Sequence, residues 1–281
     1  MNKIYYLGPK GSYSHNITKK VFVDTHEIIA CDSFSDIVKN TLRDKSALGV
    51  LPIENSITSN IHENMDYLFR EDLTIISEAY LKIRLFLVGF KSATLQDVKK
   101  VYSHQKAFLQ CRQYVSEHNF VIQQTDSTAS ARDLILKIND KRVAAIGSEE
   151  LAENQKLKIL AGDIGDEKFN ITRFAFVSAM RAEASGNKAS IMFTVPHKPG
   201  TLAKILMEFS NAEFNLIKID SRPIPATSWE YQFWVDLENK TNKEIEEKFL
   251  SDILKKNVLT YKIIGIYKSG KLYRSSLILQ K

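Results

Sequence analysis

Residues 47–56 read Ala-Leu-Gly-Val-Leu-Pro-Ile-Glu-Asn-Ser, an apolar run that ends in a polar turn. Such a run is typical of a strand that is buried in a sheet covered by helices. Shorter apolar runs at residues 4–7 and 28–31 precede it, and apolar side chains recur at helical spacing between them. Because strands and helices alternate, this part of the chain is predicted to form an α/β fold with a largely parallel sheet.

A second unit of the same kind begins after about residue 78, and the chain returns to the first unit near residues 169–177. Two such units predict two lobes around a cleft, with lobe 1 at about residues 1–78 and 158–180 and lobe 2 at about residues 79–157. The predicted strands of the second unit are residues 85–89, 100–102, 121–123 and 143–146, and its predicted helices lie near residues 106–116 and 127–138.

The C-terminal third has a different pattern. Residues 181–188 contain no large apolar side chain and are the predicted linker. From residue 189 to residue 281 we expect a separate domain whose strands and helices follow the order βαββαβ, which is typical of a ferredoxin-like module. Apolar and polar residues alternate along residues 229–237, which predicts a strand with one buried face and one mostly polar face.

Composition excludes several classes of protein. The chain has 281 residues, of which 44% are hydrophobic and 26% charged, as expected of a globular protein of about two domains. The apolar run at the start is too short for a signal peptide. Cys31 and Cys111 lie far apart and outside any metal-binding spacing, which favours free thiols in the cytoplasm. The net charge of +6 is scattered among acidic residues, unlike the basic face of a nucleic-acid-binding protein, and suits an anionic small molecule.

Five polar clusters follow predicted strands, where open α/β sheets bind their ligands. Each cluster also has a simpler structural explanation, because Ser12 and Ser127 are good helix N-caps and Asn55 is suited to an Asx-turn. The clusters are Gly8-Pro9-Lys10-Gly11-Ser12-Tyr13-Ser14, Pro52-Ile53-Glu54-Asn55-Ser56, Ser103-His104-Gln105-Lys106-Ala107-Phe108-Leu109-Gln110-Cys111, Ser127-Thr128-Ala129-Ser130-Ala131 and Asn170-Ile171-Thr172-Arg173-Phe174.

Taken together and in this order, the five clusters resemble the prephenate dehydratase family over nearly the whole chain. The most specific of them is Asn170-Ile171-Thr172-Arg173-Phe174. The C-terminal module resembles an ACT domain, because Lys198-Pro199-Gly200-Thr201-Leu202 and Asp220-Ser221-Arg222-Pro223 match two of its motifs. The resemblance implies a bilobal catalytic domain like a periplasmic binding protein, followed by a regulatory ACT domain.

The implied reaction converts prephenate to phenylpyruvate in phenylalanine biosynthesis and requires no metal and no cofactor. By this resemblance Thr172 is the donor to the departing hydroxyl, Arg173 holds the pyruvyl carboxylate through its planar fork, and Phe174 packs on the ring. The other residues implied to orient the substrate are Glu54, Asn55, Ser56, Ser103, Gln110, Ser127 and Thr128.

The ACT resemblance implies feedback inhibition by L-phenylalanine in a homodimer or a dimer of dimers. The scattered charge and the lack of a long apolar stretch predict neither nucleic acid nor membrane as a partner. The residues implied at the effector site are Gly200, Thr201, Leu202, Asp220, Ser221, Arg222 and Pro223, contributed by two chains.

Two alternatives remain open from the sequence: an arogenate dehydratase, which acts on the same ring with an amino acid side chain, and a non-catalytic amino-acid sensor. Thr172 favours an enzyme, since a sensor does not require a hydroxyl donor beside an arginine. The sequence departs from the family at Ser59, which replaces a usual glycine, at Thr201, which replaces alanine, and at Gln105, which replaces proline beside His104.

Overall fold

A computed structural model describes residues 2–22, 25–180, 185–224, 231–239, 241 and 243–274. Lobe 1 begins with an alternation of strands and helices, as predicted. In its sheet β1 is parallel to both β2 and β3, and β4 pairs with the end of β3. The elements are β1 (Asn2–Leu7), α1 (Tyr13–Val21), β2 (His26–Cys31), α2 (Phe34–Arg43), β3 (Leu48–Asn55), β4 (Ser59–Asn60), α3 (His62–Arg70) and β5 (Thr74–Lys82).

Lobe 2 is a five-stranded sheet with the strand order β10-β6-β9-β7-β8, in which β7 is parallel to β8 and β9. The elements are β6 (Phe86–Phe90), β7 (Lys100–Ser103), α4 (Gln105–Gln110), α5 (Arg112–Glu117), β8 (Val121–Gln124), α6 (Thr128–Ile138), β9 (Val143–Gly147) and β10 (Leu157–Ala161).

Serine hydroxyl groups set the start of three helices. Ser12, Ser33 and Ser127 are the N-caps of α1, α2 and α6, and each hydroxyl accepts a backbone N–H from the first turn of its helix. The end of α6 is equally well defined, because Asn139 takes the left-handed conformation with φ of 52°. These caps fix where the N-terminal ends of α1 and α6 lie.

Lobe 1 is completed by β11 (Ile171–Ser178), which inserts between β3 and β5 and is antiparallel to both. The C-terminal domain follows in the predicted order βαββαβ, with a four-stranded antiparallel sheet in the strand order β13-β14-β12-β15. Its elements are β12 (Lys188–Thr194), α7 (Thr201–Asn211), β13 (Phe214–Pro223), β14 (Tyr231–Asn239), α8 (Glu247–Asn257) and β15 (Thr260–Tyr267).

The boundaries between the units differ from the sequence prediction. Strand β5 extends lobe 1 to Lys82, and β10 keeps residues up to Ala161 in lobe 2. The last strand, β16 (Lys271–Arg274), pairs in parallel with β5 and so belongs to the sheet of lobe 1 rather than to the C-terminal domain. Residues 181–184 of the predicted linker lie outside the described residues, and Lys188 is already part of β12.

The predicted polar face of β14 is not exposed to solvent. Gln232, Trp234 and Asp236 are all buried, because this face of the C-terminal sheet packs on lobe 1. Trp234 and Met192 share one apolar core with residues of lobe 1 such as Leu68. The two domains are therefore packed as one body through a buried interface, and the sheet is covered on both faces.

No helix in the part of the chain that the structure describes is long and apolar enough to cross a membrane.

Candidate functional site

A cleft of about 280 Å³ lies between the two lobes, at the ends of the strands that the sequence marked with polar clusters. Lobe 1 provides most of its apolar wall and lobe 2 provides most of its charged rim. Six of the predicted site residues line it, namely Asn55, Gln110, Ser127, Thr128, Thr172 and Phe174. The other lining residues are Leu7, Gly8, Ser12, Tyr13, Ser14, Phe34, Pro52, Thr58, Ile61, Ile83, Leu85, His104, Lys106, Ala107 and Asp126.

Thr172 lies in the wall of this cleft, where β11 pairs with β3. Asn55 is directly opposite Thr172 in the ladder, and its amide nitrogen lies 3.0 Å from the Thr172 hydroxyl oxygen. Thr172 is 8% exposed and Asn55 is 6% exposed, so both groups are held in a largely dry environment. In such surroundings a hydrogen bond is stronger than in water, and the pair is well fixed.

The orientation of the Asn55 amide determines which of the two groups donates. Its carbonyl oxygen accepts the backbone N–H groups of Ile57 and Thr58, at 3.0 and 2.9 Å, so the amide nitrogen faces Thr172. An amide nitrogen is only a donor, and the Thr172 oxygen therefore accepts this bond. The same nitrogen donates to Asn170 Oδ1 at 2.8 Å. None of the described residues accepts the Thr172 proton, which is free to donate into the cleft.

The rim of the cleft is suited to an anion. The N-terminal ends of α1 and α6 meet the cleft from opposite lobes, at Ser12 and Ser127, and helix N-termini favour negative charge. Lys106 lines the same cleft from the first turn of α4. Among the described lining residues, Asp126 is the one acidic side chain. Lys106 and the two helix N-termini therefore offer favourable contacts to the carboxylates of a ligand.

His104 lines the cleft and also caps a helix. Its Nδ1 accepts the backbone N–H of Lys106 at 3.1 Å, which makes His104 the N-cap of α4. Burial, and then the charge of Lys106, lower the pKa of His104 below its ordinary value, while Asp126 opposes the shift. The ring is therefore favoured in its neutral form, with the proton on Nε2.

Three predicted substrate ligands do not line the cleft, and the structure gives each another role. Glu54 points to the opposite face of β3, where it binds Lys218 Nζ of β13 at 2.9 Å. The Ser56 hydroxyl donates to the carbonyl oxygen of Phe169 at 2.7 Å and holds the start of β11. Ser103 is fully buried and donates to the carbonyl oxygen of Ile146 at 2.6 Å, which joins β7 to β9.

Arg173 also lies away from the cleft, and this corrects the prediction that it binds the substrate carboxylate. Its Nε donates to Glu78 at 2.7 Å, and its Nη1 forms an ion pair with Asp236 of the C-terminal domain. Nη2 donates to Tyr267 at 2.8 Å. The physical reason is the alternation of a strand, which directs Thr172 and Phe174 to one face and Arg173 to the other.

Arg173 and Asp236 favour each other's charged form. Burial alone would lower the pKa of Arg173, but Asp236 and the other neighbouring groups raise it well above its ordinary value. Burial would likewise raise the pKa of Asp236, and Arg173 followed by Lys188 lowers it instead. Both side chains are therefore ionised in the interior, and the guanidinium of Arg173 is fully used by the protein itself.

A second cavity, of about 480 Å³, lies in the C-terminal domain where β12 leads into α7. Gly200, Thr201 and Leu202 of the predicted effector site line it, whereas residues 220–223 do not. Gly200 has φ of 84°, the left-handed region that favours glycine. The Thr201 hydroxyl donates to the carbonyl oxygen of Pro196 at 2.7 Å.

Residues 220–223 lie on β13, and two of their side chains contact lobe 1 of the same chain. Arg222 forms an ion pair with Asp66 on α3, and Asp220 lies 3.7 Å from His62 Nδ1. One chain therefore does not bring the two predicted halves of the effector site together.

Sequence reasoning missed Lys106 and did not include Ser12 or Ser14 among the site residues. The two serines belong to a cluster that the sequence had marked, so their position was within reach. Lys106 also belongs to a marked cluster, but a lysine in the first turn of a short helix is ordinary, so nothing singled it out within that cluster. Ser59, which departs from the family pattern, has φ of 66°, a conformation that explains why glycine is usual there.

Comparison with known proteins finds family models that match both the bilobal part of the chain and the C-terminal domain. The family model described as prephenate dehydratase matches residues 4–182, and the model described as ACT domain matches residues 189–244. A relative from Methanocaldococcus jannaschii, named prephenate dehydratase, is 36% identical over 276 residues, which cover 95% of this chain and 98% of the relative.

Two solved structures share this arrangement of domains. The prephenate dehydratase of Staphylococcus aureus superposes with a TM-score of 0.81 at 28% identity and covers 94% of this chain and 99% of its own. The prephenate dehydratase of Arthrobacter aurescens in complex with L-Phe gives a TM-score of 0.80 at 28% identity and covers 95% of this chain and 89% of its own.

Proposed function

This chain belongs to the prephenate dehydratase family, and from that premise we propose that Thr172 donates a hydrogen bond to the departing ring hydroxyl of prephenate in the cleft between the lobes. The enzyme is a hydro-lyase of phenylalanine biosynthesis. The observation that carries the proposal is the Thr172 hydroxyl, which accepts from Asn55 and keeps its own proton for the cleft.

The chemistry explains why a donor is needed. The bond between the ring and its carboxylate breaks and carbon dioxide leaves, the electron pair enters the ring, and the bond to the ring hydroxyl breaks. The prephenate dianion and one proton give the phenylpyruvate monoanion, carbon dioxide and water. Negative charge therefore develops on the leaving oxygen, and a fixed donor at that oxygen lowers the barrier.

The walls of the cleft assist the loss of carbon dioxide. Phe174, Pro52 and Leu85 give it an apolar surface against which the ring can pack. A carboxylate that is poorly solvated loses carbon dioxide more readily, because its charge is dispersed in the transition state. Aromatisation supplies the driving force, and the residues of the cleft need only hold the substrate and donate.

Lys106 is the cation that we assign to the pyruvyl carboxylate, since Arg173 is engaged elsewhere. Lys106→Met is expected to raise KM for prephenate about tenfold, the usual consequence of losing one charge-assisted hydrogen bond. The measurement is steady-state kinetics. Lys137→Met is the matched control, because Lys137 is exposed in the last turn of α6. Equal KM values in the two variants would exclude Lys106 as the ligand.

A second candidate substrate, arogenate, is favoured by one observation. Asp126 lines the same cleft as Lys106, and a carboxylate there would attract the ammonium group that arogenate carries and prephenate does not. The test is the rate of phenylpyruvate formation from prephenate against that of phenylalanine formation from arogenate. We expect the higher kcat/KM for prephenate. A higher kcat/KM for arogenate would overturn the assignment, and no turnover of either would exclude the enzyme class.

We also propose that L-phenylalanine binds the cavity beside Gly200 and inhibits the enzyme. The supporting observations are the complex of the related Arthrobacter aurescens enzyme with L-Phe and the left-handed turn at Gly200, which exposes backbone to the cavity. Residues 220–223 would then come from a second copy of the chain. In support, β13 is an edge strand with exposed Leu216 and Ile219, as expected of a strand that pairs with another copy in a homo-oligomer.

Arg222→Ala is expected to raise the phenylalanine concentration for half inhibition about tenfold, a typical coupling energy between two sites. Arg222 connects the effector motif to α3 through Asp66. Asp66→Asn keeps the arginine but removes that partner, and it should weaken inhibition in the same direction. The measurement is a phenylalanine titration of the intact enzyme and both variants. An unchanged response in both would contradict the proposed role.

The cytoplasm is the proposed location. Cys31 and Cys111 are both free and buried, and unpaired thiols are the rule in a reducing compartment.

A further inference from the structure

Four charged side chains are buried together where the C-terminal sheet packs on lobe 1. Arg173 and Glu78 come from lobe 1, and Lys188 and Asp236 come from the C-terminal domain. Arg173 contacts Glu78 and Asp236, and Lys188 Nζ lies 2.8 Å from Glu78 Oε1. None of the four side chains is more than 4% exposed. We call these four residues the junction cluster.

Ion pairs of the junction cluster join the two domains directly. Each domain supplies one cation and one anion, and each cation binds a carboxylate of the other domain: Arg173 binds Asp236, and Lys188 binds Glu78. Removing one member leaves an excess of one charge among the buried groups, which is unfavourable, although the half-exposed Glu54 also lies 3.6 Å from Arg173 Nη1. Further hydrogen bonds hold Asp236, which accepts from Ser190 at 2.5 Å and from Trp234 Nε1 at 2.9 Å. The cluster therefore fixes the relative position of the two domains.

Arg173 is also the next residue after Thr172 in β11. Its side chain extends into the junction while the Thr172 side chain faces the cleft, so one peptide unit connects the two. A shift of the Arg173 backbone would move Thr172, because the two residues share one peptide unit. The hydrogen bond from Asn55 and the contact with the leaving oxygen both depend steeply on distance, and displacements near 1 Å are costly to catalysis.

We propose that Arg173 is a positioning residue, and that the junction cluster holds Thr172 at its reactive position by anchoring β11 to the C-terminal sheet. The proposal rests on the proposed function only for the role of Thr172 in turnover. Arg173, the second residue of the Thr-Arg-Phe motif, thus acts from the face of β11 that is opposite to the substrate.

The test is Asp236→Asn in the full chain. Asp236 lies in the C-terminal sheet, outside the cleft, and asparagine can still accept from Ser190 and Trp234. We expect kcat for prephenate to fall about tenfold to a hundredfold with KM little changed. The reason is that Thr172 would be displaced, and its contact with the leaving oxygen acts in the transition state. Asp252→Asn, at an exposed carboxylate of α8, is the control and should leave both constants unchanged. An unchanged kcat in Asp236→Asn would overturn the proposal.

A double variant separates positioning from stability. Arg173→Met with Asp236→Asn removes one charge of each sign, so Glu78 and Lys188 remain balanced and the unfolding temperature should return towards that of the unchanged protein. We expect kcat to stay low in the double variant, because the anchor of β11 is gone. Recovery of kcat together with the unfolding temperature would show that the junction cluster serves stability alone.

Hydrogen exchange gives a readout that does not require turnover. In Asp236→Asn the peptide spanning residues 170–176 should exchange about tenfold faster, while a peptide from β9 in lobe 2 should be unchanged. If the unchanged protein does not convert prephenate, the proposed function fails and this measurement still decides the role of the cluster. If the peptide spanning residues 170–176 exchanged at the same rate in Asp236→Asn as in the unchanged protein, the anchoring of β11 would be rejected.

Discussion

Thr172→Ala is expected to lower kcat for prephenate by about a hundredfold or more, the usual scale for a lost donor to a developing oxyanion. KM should change little, because the Thr172 hydroxyl contributes mainly to the transition state. The expectation follows from its hydrogen bonds: the hydroxyl oxygen accepts from Asn55 at 3.0 Å, which leaves its proton for the leaving group. Steady-state kinetics of the folded variant is the measurement.

The control for this change is Thr172→Ser, which keeps the hydroxyl and loses only a methyl group. Its kcat should lie within about tenfold of the unchanged enzyme, since the hydroxyl that accepts from Asn55 is retained. If alanine and serine at this position gave similar turnover, the hydroxyl would have no part in the reaction and another donor in the cleft would have to be sought.

Glu78→Gln is expected to lower the free energy of unfolding by about 3–5 kcal/mol, the cost of breaking a buried ion pair from one side. For a chain of this size that corresponds to a fall of about 10 °C in the unfolding temperature. Glu78 balances both Arg173 and Lys188, and its Oε1 also accepts the backbone N–H of Gly270 at 3.1 Å, just before β16. Calorimetry of the intact chain is the measurement.

Two further variants isolate the cause of that loss. Glu167→Gln changes an exposed carboxylate and should leave the unfolding temperature unchanged. Glu78→Gln with Lys188→Met removes one charge of each sign from the junction cluster and should recover most of the loss. A Glu78→Gln protein as stable as the Glu167→Gln protein would show that the cluster contributes nothing to stability.

The division of the chain into lobes and a βαββαβ domain could be predicted from the sequence because it depends on local periodicity. Residues 143–146 are a clear case, since the predicted strand lies within β9 and differs from it by one residue. The motif residues of the cleft could also be predicted, because ligands bind where strands end, and Asn55, Thr172 and Phe174 all line it.

The position of Arg173 could have been predicted in part. If the returning segment at residues 169–177 is assigned as a strand, alternation separates Arg173 from Thr172 and Phe174. What the sequence does not show is the partner of Arg173, because Asp236 lies on another domain and no local pattern connects the two. The family resemblance favoured a substrate contact for the whole motif, and strand geometry overruled it.

The two faces of β14 illustrate the same limit. The alternation of apolar and polar residues in β14 was predicted, but a polar face need not be exposed to solvent. Gln232 and Asp236 are buried because hydrogen bonds and ion pairs satisfy them at a domain interface. Trp234 on that face was the one sequence signal against exposure, since a large aromatic side chain favours burial.

The most direct test of the role of Thr172 is a crystal structure of the full-length Thr172→Val variant with prephenate bound. Valine has the shape of threonine without its donor, so the substrate should remain unreacted in its normal position. We expect the ring hydroxyl to lie against residue 172, at about 3 Å from the place of the Thr172 Oγ1, with a carboxylate of the substrate at Lys106. A ring hydroxyl directed at His104, with residue 172 remote from it, would contradict the account.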